Sequence, residues 1–149
     1  MKHLRLTLFA IATLTQTAWS QDLLPGETIV PPDTFDAFSI GTTITYNRHD
    51  SFYGAEQHFE GRRVLWLRGD GTCSPGRWLA RGDQICFTYE DTPGEEHCLH
   101  VIDNEKGRVH RFLGSDPSAD LVMIDQSPAP LSCKGPEVGV SFHPEPAGQ

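Results

Sequence analysis

The sequence predicts an all-β fold: an antiparallel up-and-down meander of about eight strands that closes, fully or partly, into a small barrel stapled by disulfides. Three observations predict it. From residue 40 onward hydrophobic residues recur with period two instead of 3.6, as in half-buried strands. The stretches between them are short and rich in Gly, Pro, Asn and Asp, which suit tight turns. Four cysteines follow an N-terminus of secretory type, which favours two disulfides.

The first 20 residues have the form of a secretory signal peptide. Lys2 and Arg5 precede an apolar stretch at 6–14, which is shorter than the about 20 residues that span a bilayer. A small-x-small pattern predicts cleavage after Ser20, and a retained anchor is the alternative. We therefore expect a periplasmic or secreted protein that has no membrane attachment after cleavage.

The remaining chain has the length of one domain and an acidic balance. Loss of Lys2 and Arg5 leaves 10 basic residues against 20 acidic ones, a formal charge of −10, so we expect no nucleic-acid partner. We predict an irregular N-terminal segment at 21–39, a barrel domain at 40–133 and an irregular tail at 134–149. Within the N-terminal segment, one short helical turn at 32–38 is considered as an exception to the irregular structure.

Eight segments of the barrel domain alternate as strands do. They lie at 40–46, 54–59, 63–68, 76–80, 84–90, 97–103, 108–113 and 120–126. The connectors between them have too few residues for a parallel crossover, which needs about a dozen or more, so neighbouring strands must be antiparallel. Such a meander leaves two exposed edges unless it closes, and we therefore favour a barrel over a sandwich.

The spacing of the cysteines suggests how they pair. Cys86 and Cys98 are each six residues from Thr92, so a turn centred there places them opposite each other. A cross-strand disulfide forms readily if that pair occupies a non-hydrogen-bonded position. We favour Cys86–Cys98, which leaves Cys73 for Cys133. The alternative joins Cys73 to Cys86 and Cys98 to Cys133.

The stretch at 69–98 carries a pattern of the form DG-x-C, GRW, G-x-x-ICF-x-Y and a following Cys, preceded by YGAEQHFEGRRVLW at 53–66. The pattern resembles that of small exported proteins of unknown function from Gram-negative bacteria, chiefly alphaproteobacteria, and the resemblance covers about residues 40–113. It implies no reaction and no ligand. One departure is Leu99, where those proteins tend to place an aromatic residue after the cysteine.

A more distant similarity is to lipocalins and other eight-stranded barrels, which also use a Gly and Trp pair on a strand. Lipocalins have it on their first strand, whereas GRW at 76–78 lies in the middle of this meander. Shared architecture does not transfer a ligand.

Motifs for catalysis or metal binding are missing from the sequence: GxSxG, HExxH and CxxC do not occur. We therefore predict no catalytic residue and no cofactor. His58, His97 and His110 fall on three predicted strands, where they could meet at a metal ion. His97 and His100, however, are three residues apart in one strand and point to opposite faces. We interpret the histidines as surface side chains and predict no metal site.

The charged residues have structural interpretations. Glu95 and Glu96 follow Pro-Gly in a predicted turn, where adjacent acids are usually solvated. The RGD tripeptide at 81–83 is a turn between two strands and not an adhesion motif. One cluster of basic residues is expected to pair with local acids in preference to an anionic partner. It consists of Arg62, Arg63, Arg68, Arg77 and Arg81.

The bulky residues of the predicted strands are expected to fill the barrel interior. They are Trp66, Trp78, Ile85, Phe87, Tyr89 and Phe112. An eight-stranded barrel has an interior that side chains fill or that holds one small ligand. We favour a filled interior and keep a ligand cavity as the alternative.

These observations favour an exported, non-enzymatic binding or interaction module whose protein or small-molecule partner the sequence does not name. One alternative is a lipocalin-like carrier of a small apolar ligand. The other is an inhibitor of a periplasmic enzyme, in which a loop such as DTPGE or GSDPS enters the cleft of the partner.

Overall fold

A computed structural model describes residues 23–134, which form one antiparallel barrel with a short helix at one end. The predicted signal peptide at 1–20 lies outside the described residues, as does the predicted tail beyond Lys134. Within residues 23–134 no helix is long and apolar enough to cross a membrane.

The described chain contains nine strands and one α-helix. In chain order they are β1 (Thr28–Ile29), α1 (Pro32–Ser39), β2 (Thr43–Arg48), β3 (Ser51–Phe59), β4 (Arg63–Arg68), β5 (Cys73–Arg81), β6 (Gln84–Tyr89), β7 (His97–Asn104), β8 (Gly107–Phe112) and β9 (Leu121–Ser127). Strands β2 to β9 pair in sequence order, and β9 pairs again with β2, which closes the barrel. The predicted eight-stranded antiparallel fold is confirmed, and every predicted strand end lies within three residues of the observed one.

The segment predicted to be irregular at 21–39 contains β1, which was not predicted, and α1, which confirms and extends the helical turn considered at 32–38. Ile29 pairs with Ile102 of β7, beyond the part of β7 that pairs with β6. Pro32 begins α1 because its fixed φ and its missing N–H suit the first helical turn. A helix of eight residues is marginal in isolation, and burial of Phe35 stabilises it here.

Helix α1 closes one end of the barrel. The Phe35 ring has no exposed surface and makes edge-to-face contacts with Trp78 and His58, both at 5.3 Å between ring centroids. Asp36 of the same helix accepts a hydrogen bond from Arg62 at 3.4 Å. We call this the closed end. The opposite end, which we call the mouth, is formed by the connectors at 49–50, 69–72, 90–96 and 113–120.

Both favoured disulfides are present, and the alternative pairing is wrong. Cys86 and Cys98 are direct partners in the register of β6 and β7, with their Cα atoms 4.0 Å apart. Cys73 and Cys133 are separated by 60 residues in sequence, against 12 for the other pair. In the chain-entropy model such bridges contribute about 4 and about 3 kcal/mol, since the longer loop restricts the unfolded chain more.

An ion-pair network lies on the outer wall of the barrel beneath the N-terminal segment. The Arg111 guanidinium of β8 donates to Asp120 at 2.8 and 2.7 Å and to Glu27 at 2.8 and 2.6 Å. The three side chains are 2%, 9% and 4% exposed, respectively. The hydrogen bonds from Arg111 lower the pKa of Glu27 to about 2. This network fixes the segment that leads into α1 against the barrel.

Candidate functional site

Strand β3 presents an acid and a histidine to the barrel interior. Successive strand residues point to opposite faces. Gln57 lies on the outer face, where its side chain accepts a hydrogen bond from the Leu131 N–H at 3.1 Å. Glu56 and His58 are therefore on the inner face, and they are 2% and 1% exposed. Glu56 stands opposite Trp66 of β4 in the register.

The barrel interior contains a cavity of about 240 Å³. Six aromatic residues line it: Tyr46, Tyr53, Trp66, Phe87, Tyr89 and Phe112. The remaining lining residues are Glu56, Arg68, Thr92, Glu95, His97, His110 and Leu121. Most of these belong to the mouth half of the barrel, and the half next to α1 is packed with hydrophobic side chains. The cavity therefore lies between the packed closed end and the mouth.

The prediction of a filled interior is wrong in this half of the barrel. Two inward-facing glycines let aromatic rings rest against the wall instead of filling the centre. A Cβ at Gly76 would lie 2.6 Å from Cδ1 of Tyr89, and a Cβ at Gly54 would overlap the Trp66 ring. The space that the two rings leave becomes part of the cavity.

The six residues predicted to form the core divide into two groups. Trp78, Ile85 and Phe87 are buried and belong to the hydrophobic cluster that contains Phe35. The others are half-buried and line the cavity, as Phe87 also does. These three are Trp66, Tyr89 and Phe112.

We call the polar groups at the inner end of the cavity the floor: Glu56, Tyr89, Tyr46 and His110, which line it, and His58, which lies next to Glu56 outside the lining. The Tyr89 hydroxyl donates a hydrogen bond to Oε1 of Glu56 at 2.8 Å. Nε2 of His58 is 3.6 Å from Oε2 of Glu56, and neither ring nitrogen of His58 has a hydrogen-bond partner among residues 23–134. Nε2 of His110 lies 3.5 Å from the Tyr46 hydroxyl. The floor thus holds several hydrogen-bonding groups that protein contacts do not saturate.

Burial keeps the floor uncharged near neutral pH. It raises the pKa of Glu56 to about 8, against the opposing effect of the Tyr89 hydrogen bond. Burial also lowers the pKa of His58 to about 3, and that of His110 to about 3. Glu56 and His58 are consequently a neutral acid beside a neutral imidazole and not an ion pair. Burial raises the pKa of Tyr46 and of Tyr89 as well.

The interpretation of the histidines as surface residues is wrong for three of them. His58 and His110 are buried on the inner face, and His100 is buried on the outer face, 3.1 Å from Asp83. His97 is half-buried at the mouth. His58 and His110 point inward because their positions in β3 and β8 fall on the inner face, which the hydrophobic alternation does not reveal.

A metal centre is not assembled by these histidines. Among residues 23–134, one group of three potential ligands has its atoms within 4.8 Å of one another: Cys86, Glu96 and Cys98. The two cysteines form a disulfide and have no thiolate to offer.

The mouth is lined by charged residues that are mostly paired. Arg68 donates a hydrogen bond to Asp91, which also accepts one from the Ser74 hydroxyl. Glu95 is exposed and lines the cavity, whereas Glu96 accepts two hydrogen bonds from Arg81, at 3.0 and 2.8 Å. The RGD tripeptide forms the turn between β5 and β6, as its sequence context predicted.

Two floor residues that sequence reasoning missed are Glu56 and Tyr46. The signal for Glu56 was present in YGAEQHF, where Glu56 and His58 share one face with Gly54. The opposite face carries Ala55 and Phe59 beside the polar Gln57, so hydrophobicity alone favours the wrong face as the inner one. Polar residues on the inner face of a barrel strand indicate a binding site when their partners are aromatic.

Comparisons of the chain with protein-family models, with curated proteins and with solved structures found no match. The resemblance of residues 40–113 to small exported proteins therefore stays a prediction.

We expect the free energy of unfolding to be greatest near pH 6.5 and to fall on both sides. In the unfolded chain Glu56 ionises near pH 4.5, but in the folded protein its pKa is about 8. Above pH 6.5 the folded state holds a proton that the unfolded state has lost, so stability falls as pH rises, by up to about 1.4 kcal/mol per pH unit. Below pH 6.5, His58 and His110 bind protons in the unfolded chain but stay neutral in the folded protein, where their pKa is about 3. Stability therefore falls as pH falls.

Urea unfolding at about pH 5, 6.5 and 8 measures this profile. The Glu56→Gln variant retains a carbonyl for the Tyr89 hydroxyl and has no titrating proton, so it should lose little stability between pH 6.5 and 8. The same alkaline loss in the variant would show that Glu56 is not its source.

Proposed function

We propose that this protein binds a small molecule inside its barrel and works outside the cytoplasm, as a periplasmic or secreted binding protein without chemistry of its own. The observation that carries the proposal is the cavity of about 240 Å³, which joins an aromatic wall to a polar floor. Convergent polar groups with perturbed pKa values inside a largely apolar pocket are typical of ligand sites.

The volume limits the ligand to a small molecule. A cavity of about 150 Å³ holds one benzene molecule. A cavity of about 240 Å³ has room for one ring with a few substituents, or for an aliphatic molecule of similar bulk. The cavity is smaller than the about 300–1,000 Å³ of most sites for drug-sized ligands.

The lining argues against a purely apolar ligand. A hydrocarbon would leave Glu56 and Tyr89 without polar contact from the ligand side, whereas a molecule with a polar end and an apolar body would satisfy both regions. We therefore modify the lipocalin-like alternative of the sequence analysis: the ligand is amphipathic, with its polar end at the floor.

Export is supported by two features. Two disulfides persist in oxidising compartments and are rare in the cytosol. The first 20 residues have the composition of a signal peptide.

The proposal is tested with three probes that share a ring and differ in charge: benzyl alcohol, benzylamine and benzoate. Each is titrated into the mature protein, and binding is followed by amide chemical shifts and by the fluorescence of Trp66, which lines the cavity. We expect at least one probe to bind, with shifts centred on the floor and the mouth.

Two tryptophan variants locate the binding. Thr92→Trp places a large ring at the mouth, and Thr88→Trp places the same ring on the exposed outer face of β6. Binding should be lost in the first variant and retained in the second. The proposal is overturned if no probe binds, or if Thr92→Trp binds as well as the unmodified protein.

A further inference from the structure

We infer that the ligand is a small organic cation, a quaternary ammonium or a protonated amine, whose charged group contacts the Glu56 carboxylate among the aromatic rings of the cavity. This inference rests on the proposed function and adds the chemical class of the ligand.

Among the described residues, Glu56 has no cationic partner. Buried carboxyl groups are almost always paired. Among residues 23–134 the polar contacts of Glu56 are the Tyr89 hydroxyl and the His58 ring, which burial keeps uncharged. Arginines near the interior are engaged elsewhere: Arg68 with Asp91 at the mouth, and Arg108 with Asp103 near α1. The Arg48 guanidinium lies over the Tyr53 ring at the mouth and does not contact Glu56. On the cavity side of Glu56, none of the described residues supplies a counter-ion.

The wall of the cavity is rich in aromatic rings. Six aromatic side chains line the cavity, and the face of an aromatic ring attracts a cation within about 6 Å of its centroid. The protein already uses this contact at the closed end, where the Arg62 guanidinium lies 4.4 Å from the Trp78 ring centroid. One of the six lining rings, Tyr53, is itself engaged by Arg48 at 4.3 Å, which leaves five rings for a ligand. A quaternary ammonium group, which has no hydrogen to donate, is recognised by this combination of rings and one carboxylate.

The floor offers no positively charged group to an anion. His58 and His110 are uncharged, and Arg68 is already bound to Asp91. Glu95 adds a further acid to the lining at the mouth. The chain as a whole has 20 acidic against 12 basic residues, which attracts cations over long range.

Binding of a cation is then coupled to loss of a proton. A cation stabilises the ionised form of Glu56, whereas the empty site holds the neutral acid, so one proton leaves as the ligand enters. The titratable and charged groups that share the cavity with Glu56 or contact it are Tyr46, Tyr53, His58, Arg68, Tyr89, Glu95, His97 and His110. Burial lowers the pKa of His58 and of His110 to about 3 and raises the pKa of Tyr46 and of Tyr89, so these four groups do not supply a proton near neutral pH. Glu56 is the acid that the cation contacts, and the Glu56→Gln variant below tests it as the source of the proton.

Choline and 3,3-dimethylbutan-1-ol test the inference, because they have the same shape and differ only in charge. Calorimetric titration of the mature protein should show choline binding at least about tenfold more tightly than its neutral isostere. Choline affinity should rise about tenfold per pH unit between about pH 6 and 7, since the charge of choline does not change and Glu56 is the group that ionises. The neutral isostere should show no such pH dependence.

Glu56→Gln is the matched variant, since its side chain has the same size and no charge. It should lose at least about tenfold of the choline affinity and all of the pH dependence. Equal affinity for the two probes, a choline affinity that does not change with pH, or full choline binding by Glu56→Gln would overturn the inference. Binding of benzyl alcohol that Thr92→Trp abolishes would, in that case, leave the proposed function standing. Failure of every probe would overturn both.

Discussion

Replacing Phe35 with alanine should lower the free energy of unfolding by about 3–5 kcal/mol, the usual cost of removing a buried Phe ring. The ring has no exposed surface and contacts Trp78, His58, Phe38, Phe87 and His110. Its loss removes hydrophobic burial and leaves a void that neighbouring rings, held by closed strands, fill only in part. Urea unfolding of the variant and the unmodified protein at one pH measures the difference.

The control for this variant is Phe52→Ala, which removes the same ring from a residue of β3 that is 51% exposed. Its effect should stay within about 0.5 kcal/mol. A similar small effect for Phe35→Ala would show that α1 does not seal the closed end and that the barrel is stable without it.

Replacing Arg111 with methionine should cost about 3–5 kcal/mol, because it leaves Glu27 and Asp120 together in a covered position without a cation. Methionine retains much of the apolar stem, so the loss reports the charge and the hydrogen bonds more than the packing. The matched control is Arg81→Met, which removes a bidentate pair with Glu96 from the exposed surface. That change should cost less than about 1 kcal/mol.

A triple variant separates the ion pair from the fold around it. Combining Arg111→Met with Glu27→Gln and Asp120→Asn removes the two unpaired carboxylates, so most of the lost free energy of unfolding should return. If the triple variant is as unstable as Arg111→Met alone, the cost lies in packing under the N-terminal segment and not in the unpaired carboxylates.

The strands and the disulfides could be predicted from the sequence because both depend on local pattern. Alternation places Cys86 and Cys98 at equal distances from a turn, and the register of β6 and β7 then makes them direct partners. Turn-forming residues at each connector set the strand order, since chain segments this short can reach only the neighbouring strand.

The cavity could not be predicted in the same way, because it depends on which face of each strand points inward. In β3 the apolar positions and the inner positions differ, and Glu56 therefore reads as a solvent residue in the sequence. The role of the N-terminal segment was equally hidden. Phe35 is one aromatic residue among prolines and acids, and only the finished barrel supplies the pocket of rings that buries it.

The sealing of the barrel by α1 also has a consequence for exchange kinetics. Among the described residues, α1 and packed side chains cover the closed end, so a ligand at the floor enters and leaves past the residues of the mouth. An incoming molecule therefore does not displace the bound one directly, and exchange requires that the bound molecule dissociate first. Raising the concentration of a competitor should therefore leave the release rate unchanged, and the connectors at 49–50, 69–72, 90–96 and 113–120 would set how long an occupant stays.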